Sequence, residues 1–405
     1  MEARSIPFPL AAPGAAGVSG ARAGARAVPW PLAATLFAAT SIVVGLIWDI
    51  SWHMTIGRDT FWTPAHLGIY LGGTLAGVAN GLLVLHTTLR GSAGARARSV
   101  RFWGLRGPLG AFASVWGAGA MLTSAPFDDW WHNAYGLDVE ILSPPHVVLL
   151  LGIFFVIGGA CLTALQAQNA AEAEGDPRAG TFRAAFAYAM GLLLTMGALA
   201  VWSQTRPIDA RFPFYYQYAA VPLTFVLAAA LRGLRGRWPA TTVALVYMAV
   251  LLAMGWALWP WPAAPRLGPI RQDTTHMVPL GFPLLLAAPA FAMDLLARRL
   301  DPAAGAGRRW LHAAALGLGF LAVFAAVQLP LSAFLMSGAG RNALFLEGRF
   351  PYMMPMSSEW VRGVFPAYWG TRAEYVRGML WAALCAVLSA RLGLAWGAWM
   401  RGVRR

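Results

Sequence analysis

Long, uniformly apolar stretches alternate with short polar connections along most of the chain. Ten stretches read as membrane-spanning helices: 30–53, 64–88, 107–125, 145–167, 183–204, 218–232, 238–259, 277–297, 310–335 and 376–398. A helix of about 20 apolar residues crosses a hydrocarbon core, and lipid offers no water to unpaired backbone groups. The runs are too long and too uniformly apolar for barrel strands, which alternate with a period of two. The expected fold is all-α, a polytopic transmembrane helical bundle of about ten spans with an internally repeated helical hairpin.

The connections divide by charge. Arg90, Arg96, Arg98, Arg101 and Arg106 follow the second run. Arg232, Arg235 and Arg237 follow the sixth, and Arg298, Arg299, Arg308 and Arg309 follow the eighth. Arg401, Arg404 and Arg405 close the chain. With ten spans all these clusters share one face, which the positive-inside rule makes cytoplasmic. Arg206, Arg211, Arg266, Arg271, Arg341 and Arg349 fall on the other side, so the bias is a matter of degree. Residues 1–28 read as a flexible cytoplasmic tail, rich in Ala, Gly and Arg. No signal-type cleavage site follows, so the first run is expected to stay as a helix. A membrane domain over 29–170 carries the repeated hairpins. Residues 171–405 add further helices and a long outer loop near 336–375 with Met353, Met354 and Met356.

Composition agrees with this reading. The chain has 405 residues, of which 58% are hydrophobic and 12% charged, with a mean hydropathy of +0.55. Soluble domains carry about 25% charged residues. The 19 Trp and 10 Tyr suit interfacial anchoring. A net charge of +14 raises the question of nucleic acid. The charge is all arginine, clustered between apolar runs, so the expected partner is the lipid bilayer and its anionic headgroups. Cys161 and Cys385 fall inside apolar runs and read as small buried hydrophobes.

The candidate chemistry lies in the repeat. One copy reads Asp49-Ile-Ser-Trp52-His53, then Gly57, Asp59, Pro64 and His66. The other reads Asp128-Asp129-Trp130-Trp131-His132, then Gly136, Asp138, Pro144 and His146. Asp and His four apart share a helix face. Gly and Pro then stop one helix and start the next, returning a second His beside the first pair. The product is two imidazoles and a carboxylate with coordination positions open. Such a set suits a first-row transition metal and leaves room for O2 or substrate. Five of the seven His (53, 66, 132, 146 and 276) fall on the outer face. Asp59 and Asp138 either orient a ligating imidazole through its other nitrogen or cap a turn. Asp129 and His276 are candidates for the same supporting role, although His276 reads first as a structural partner of Asp273. His86 and His312 read as packing or interfacial residues. The Met cluster reads as packing, with transfer of Cu(I) as the alternative.

The stretch Asp49-Ile-Ser-Trp52-His53-Met-Thr-Ile-Gly-Arg58-Asp59-Thr60-Phe-Trp-Thr63-Pro64-Ala-His66, with Tyr70 following, resembles the signature of the C subunit of the particulate methane and ammonia monooxygenases. The resemblance covers about residues 45–155 and implies copper ligation by Asp49, His53 and His66. It also implies a second copper site at Asp128, His132 and His146, where Asp replaces the family's Asn. The chain is longer than that subunit, with extra C-terminal helices and no counterpart of the cupredoxin domains. The expected function is a copper-dependent membrane monooxygenase, or its metal-binding subunit. It would activate O2 at Asp49, His53 and His66 to oxidise a small apolar or ammonia-like substrate. Its location would be the cytoplasmic (inner) membrane of a bacterium or archaeon, with the metal site on the extracytoplasmic side. Other monooxygenase-type subunits or a cupredoxin-like protein are the partners implied. Three alternatives stand beside it: a non-enzymatic copper-handling or delivery protein, a scaffold with degenerate sites, and hairpins held by metal-free Asp–His hydrogen bonds. Transmembrane bis-His haem ligation would need each His pair on one continuous helix, which Pro64, Pro144 and Pro145 oppose.

Overall fold

Apolar run, proline and glycine together set where each helix begins and ends. The computed structural model describes residues 28–57, 60–136, 143–263, 276–301, 305–348 and 370–405. The described residues form α1 (Trp30–Thr55), α2 (Pro64–Arg90), the short α3 (Ala93–Ala97), α4 (Leu109–Tyr135), α5 (Pro144–Glu174), α6 (Ala179–Leu199), α7 (Pro213–Gly233), α8 (Pro239–Leu258), α9 (Ala287–Ala297), α10 (Ala306–Met336) and α11 (Arg372–Met400). Pro64, Pro144, Pro213 and Pro239 each open a helix at its first position, where a missing N–H costs nothing. Eight of these helices are long and apolar enough to cross a membrane. The protein is an all-α polytopic bundle. Its strands, β1 (Val100–Phe102) and β2 (Leu105–Gly107), form one small hairpin between α3 and α4.

Two of the ten expected spans differ from their apolar runs. The run at 107–125 continues as helix through Pro126 to Tyr135. At 1.5 Å per residue its 27 residues reach about 40 Å, so the final two turns carry Asp128 and His132 as a helical extension of the span. The run at 277–297 is helical only over Ala287–Ala297. Pro279, Gly281 and Pro283 break it, since proline lacks the N–H that a helix interior needs. Residues 277–286 are non-helical and buried except for Leu285, with Val278 and Leu286 fully buried.

Backbone outside a helix survives at membrane depth only where protein groups satisfy it. Those groups are present here. Ser51 Oγ donates to Val278 O at 2.6 Å, and Val278 N donates to Thr55 Oγ1 at 2.9 Å. Tyr247 OH donates to Pro283 O at 3.2 Å. Buried Gln328 donates through Nε2 to Leu284 O and accepts from Tyr215 OH at 3.0 Å. The broken segment thereby fastens α1 of the first half to α7, α8 and α10 of the second.

Small residues bring the hairpin helices together. A Cβ at Gly72 would lie 2.6 Å from Ala38 O on α1, and one at Gly152 would lie 2.8 Å from Gly117 O on α4. Gly72 and Gly152 each stand six residues after the second His of their copy. The repeat therefore extends into the packing.

The arginine clusters gather at one end of the bundle. Arg98 pairs with Glu174 at 2.7 Å, Arg298 Nη2 donates to Arg237 O at 2.8 Å, and Arg401 Nε donates to Arg232 O at 2.7 Å. At the opposite end Arg206 is neutralised by Asp209 at 2.7 Å. Burial raises the Asp209 carboxyl above the ordinary carboxylate range, and Arg206 opposes that rise.

Gln328→Leu should strand the Leu284 carbonyl and the Tyr215 hydroxyl. The expected loss is about 1–3 kcal/mol per orphaned buried group, read as reduced unfolding free energy in detergent.

Candidate metal centre

Both centres are built by one local device. Asp49 and His53 occupy the last two turns of α1, and His66 is the third residue of α2. Asp128 and His132 occupy the last two turns of α4, and His146 is the third residue of α5. Since α2 and α5 return antiparallel to α1 and α4, both sets lie at the bundle end remote from the arginine clusters.

The donor atoms converge. His66 Nε2 lies 3.2 Å from Asp49 Oδ1, and His53 Nε2 lies 3.9 Å from Asp49 Oδ2. In the second set His146 Nε2 lies 3.3 Å from Asp128 Oδ1, and His132 Nε2 lies 3.4 Å from Asp128 Oδ2. Within each set all three donors lie within 4.8 Å of one another. Two ligands about 2.1 Å from one ion at a tetrahedral angle stand about 3.4 Å apart. The observed separations match that spacing, apart from the longer one at His53.

Hydrogen bonds fix which imidazole nitrogen faces inward. His53 Nδ1 donates to Gly57 O at 3.0 Å, His66 Nδ1 to Thr60 O at 3.0 Å, and His132 Nδ1 to Gly136 O at 3.3 Å. A carbonyl oxygen only accepts, so each Nδ1 carries a proton. In the neutral ring Nε2 then presents a lone pair to a carboxylate that also presents lone pairs. Asp49 Oδ1 and Asp128 Oδ1 are both buried and lack a hydrogen-bond partner. Such an arrangement needs positive charge between the groups. Protonating both imidazoles would leave one carboxylate between two cations, with a net charge of +1. A single metal ion satisfies all three donors at once, so the residues present fit one.

Glycine is what turns the carbonyl back. Gly57 has φ +91° and Gly136 φ +96°, a region that side chains oppose. Each stands four residues after its His and closes its helix, Gly57 N donating to Trp52 O and Gly136 N to His132 O. Thr60 and Thr63 form a tight turn, with Thr60 N donating to Thr63 Oγ1 at 2.8 Å and Thr63 N to Thr60 O at 3.0 Å. That turn aims Thr60 O at His66. Helix termination is thus only part of what these glycines do, and Thr60 shares the work of orienting an imidazole. The signal was available as the matched spacing of Gly57 and Gly136 in the two copies.

The remaining candidates fall elsewhere. Asp129 is exposed and accepts from Asn133 Nδ2 of its own helix. His276 lies in the non-helical segment, bridged to Pro262, and not at a helix start as its position suggested. Neither belongs to a donor group among the described residues. His86 lies on α2 and His312 on α10, also outside both groups. Asp59, Asp138, Asp273 and the Met353, Met354 and Met356 cluster lie outside the described residues. Aromatic rings border both sets: the His66 ring is 5.9 Å from Tyr70, and Trp131 packs 4.5 Å from Tyr135 beside His132.

No protein-family model, no curated protein and no solved structure matches the chain.

An ion that binds only the folded chain stabilises it by mass action. Adding a divalent first-row metal ion to metal-stripped protein should therefore raise its unfolding temperature. Acidification, which protonates imidazole, should weaken that rise. In the double variant Asp49→Asn/Asp128→Asn the rise should shrink severalfold, measured by thermal unfolding with and without metal.

Proposed function

We propose that the chain is a copper-dependent membrane oxidoreductase of the monooxygenase type, or the metal-holding subunit of one. Asp49, His53 and His66 hold the catalytic copper, and Asp128, His132 and His146 hold a second. The observation that supports this reading is the convergence of two matched donor sets, each with a buried, unpartnered carboxylate oxygen. The likeness of residues 45–155 to the C subunit of the methane and ammonia monooxygenases supplies the choice of copper and of reaction. Copper bound there supplies the one-electron chemistry that dioxygen activation requires.

The protein's own groups prepare that chemistry. The Gly57, Thr60 and Gly136 carbonyls hold the Nδ1 protons, so each Nε2 stays aimed at the centre and more basic. Each carboxylate offsets one unit of the metal's charge. Donors drawn from two helices of one hairpin leave the remaining coordination positions open to small molecules. The surrounding apolar helices let a small uncharged substrate reach the site through lipid. The donor sets lie opposite the arginine end, which under the positive-inside rule supports an extracytoplasmic position for them. A cupredoxin-like protein or companion subunits would deliver electrons there.

One observation favours a second reading, delivery of copper without oxidation. The side chains of His53 and His146 are 33% and 32% exposed, open enough for exchange with a carrier.

Metal analysis of the purified chain should find two copper ions in the wild type. His53→Ala and His132→Ala should each retain one. Equal metal in all three proteins ends the assignment. Oxygen uptake with an added reductant and a small substrate should fall at least tenfold in Asp49→Asn. Copper loss without any oxygen-dependent turnover in the wild type selects the delivery reading.

A further inference from the structure

A second kind of site lies at the arginine end, remote from the donor sets. A cavity of about 170 Å³ opens there between α1, α2, α3 and α5. Its lining is mostly apolar, including Leu32, Leu83, Ala167 and Ala170, and includes the polar Arg98 and Gln166. Leu83 stands seven residues inside the Arg90 end of α2, so the slot descends about 10 Å from the headgroup level into the apolar slab. An apolar slot under a polar, cationic rim has the shape and polarity of an amphiphile.

The rim also selects a charge. Arg98 uses one guanidinium nitrogen, Nη1, on Glu174 at 2.7 Å, and its side chain remains 48% exposed. Gln166 Nε2 donates to Arg98 O at 3.0 Å and fixes that backbone over the slot. Arg96 stands two residues earlier on α3, with Nη2 donating to Thr88 O and Leu89 O. Arg101 and Arg106 follow in the strand hairpin. Glu174 is the counter-charge paired with Arg98, and the surrounding connections are arginine-rich. An anion is therefore favoured, and basic pockets between helices at this level suit anionic headgroups.

We infer that this cavity is a binding site for an anionic phospholipid, with an acyl chain in the slot and the phosphate at Arg98. The site is independent of the metal centres. It gives the bundle a specific lipid at the junction of α1, α2 and α5, the helices that carry His53, His66 and His146 at their other ends.

The test uses the full-length chain in mixed micelles holding equal phosphatidylglycerol and phosphatidylcholine, with bound lipid counted by native mass spectrometry. The wild type should retain phosphatidylglycerol over phosphatidylcholine about fivefold, the factor expected for one arginine near an anionic headgroup. Ala167→Leu and Ala170→Leu, which fill the slot, should lose the retained lipid. Arg98→Gln should keep a lipid but lose the preference, and Glu174→Gln should increase it. Glu174→Gln also carries the charge test if Arg98→Gln fails to fold. Absence of retained phospholipid from the wild type overturns the inference. So does retention by both folded filling variants equal to wild type, or a headgroup preference indifferent to both charge variants.

Discussion

Lone pair against lone pair is the constraint on which the donor-bearing end of this protein turns. The protons of His53, His66 and His132 are committed to backbone carbonyls. Their other nitrogens face the Asp49 and Asp128 carboxylates, each with one buried oxygen, Oδ1, that lacks a hydrogen-bond partner. Burying a carboxylate oxygen unpaired is costly, and a cation held by the three donors would remove that cost. The hairpin, the glycine turn and the proline that opens the return helix all serve that convergence. A metal-free Asp–His hydrogen bond needs a second proton on the ring that makes it, whereas a metal ion takes the Nε2 lone pairs as they stand.

Much of this was legible in the sequence, for physical reasons that differ by feature. Apolar run length alone locates a helix in lipid, so the spans were readable to within a few residues. The donor triads were readable because helix geometry makes the spacing of four meaningful and a duplicated hairpin repeats it. The extension of α4 beyond Pro126 was harder to see. A proline and two adjacent aspartates look like an end, yet the helix continues through them to Tyr135. The break at 277–286 was hidden for the opposite reason. Its residues are as apolar as a span, and only Pro279, Gly281 and Pro283 show that the backbone cannot be helical. The partners that tolerate the break, Ser51, Thr55, Tyr247 and Gln328, lie far away in sequence and carry no local sign of the role.

That broken segment links the two halves of the chain. Ser51 and Thr55 alternate along α1 with Asp49 and His53, so the helix that supplies one centre also grips the backbone of the distant segment. The second centre's α5 is tied to the C-terminal helices at its other end, Gln168 Nε2 donating to Gly233 O at 3.0 Å and Asn169 Nδ2 to Met400 O at 2.9 Å. Two donor sets of the same design are therefore anchored differently, one beside its ligands through Ser51 and Thr55 and one through the remote end of α5.

At the opposite end, arginine often finds a main-chain oxygen in place of an acid. Arg96 reaches Thr88 and Leu89 at the close of α2, Arg401 reaches Arg232 near the close of α7, and Arg298 reaches Arg237 just before α8. These guanidinium groups satisfy carbonyls that a helix end or connection leaves over, and two of them offset the negative pole of a helix dipole. The residues that would dictate which way the bundle inserts are thus also its end-caps. Replacing Arg96, Arg298 or Arg401 would remove a charge and strand a carbonyl together, so at these three positions orientation and fold share one side chain.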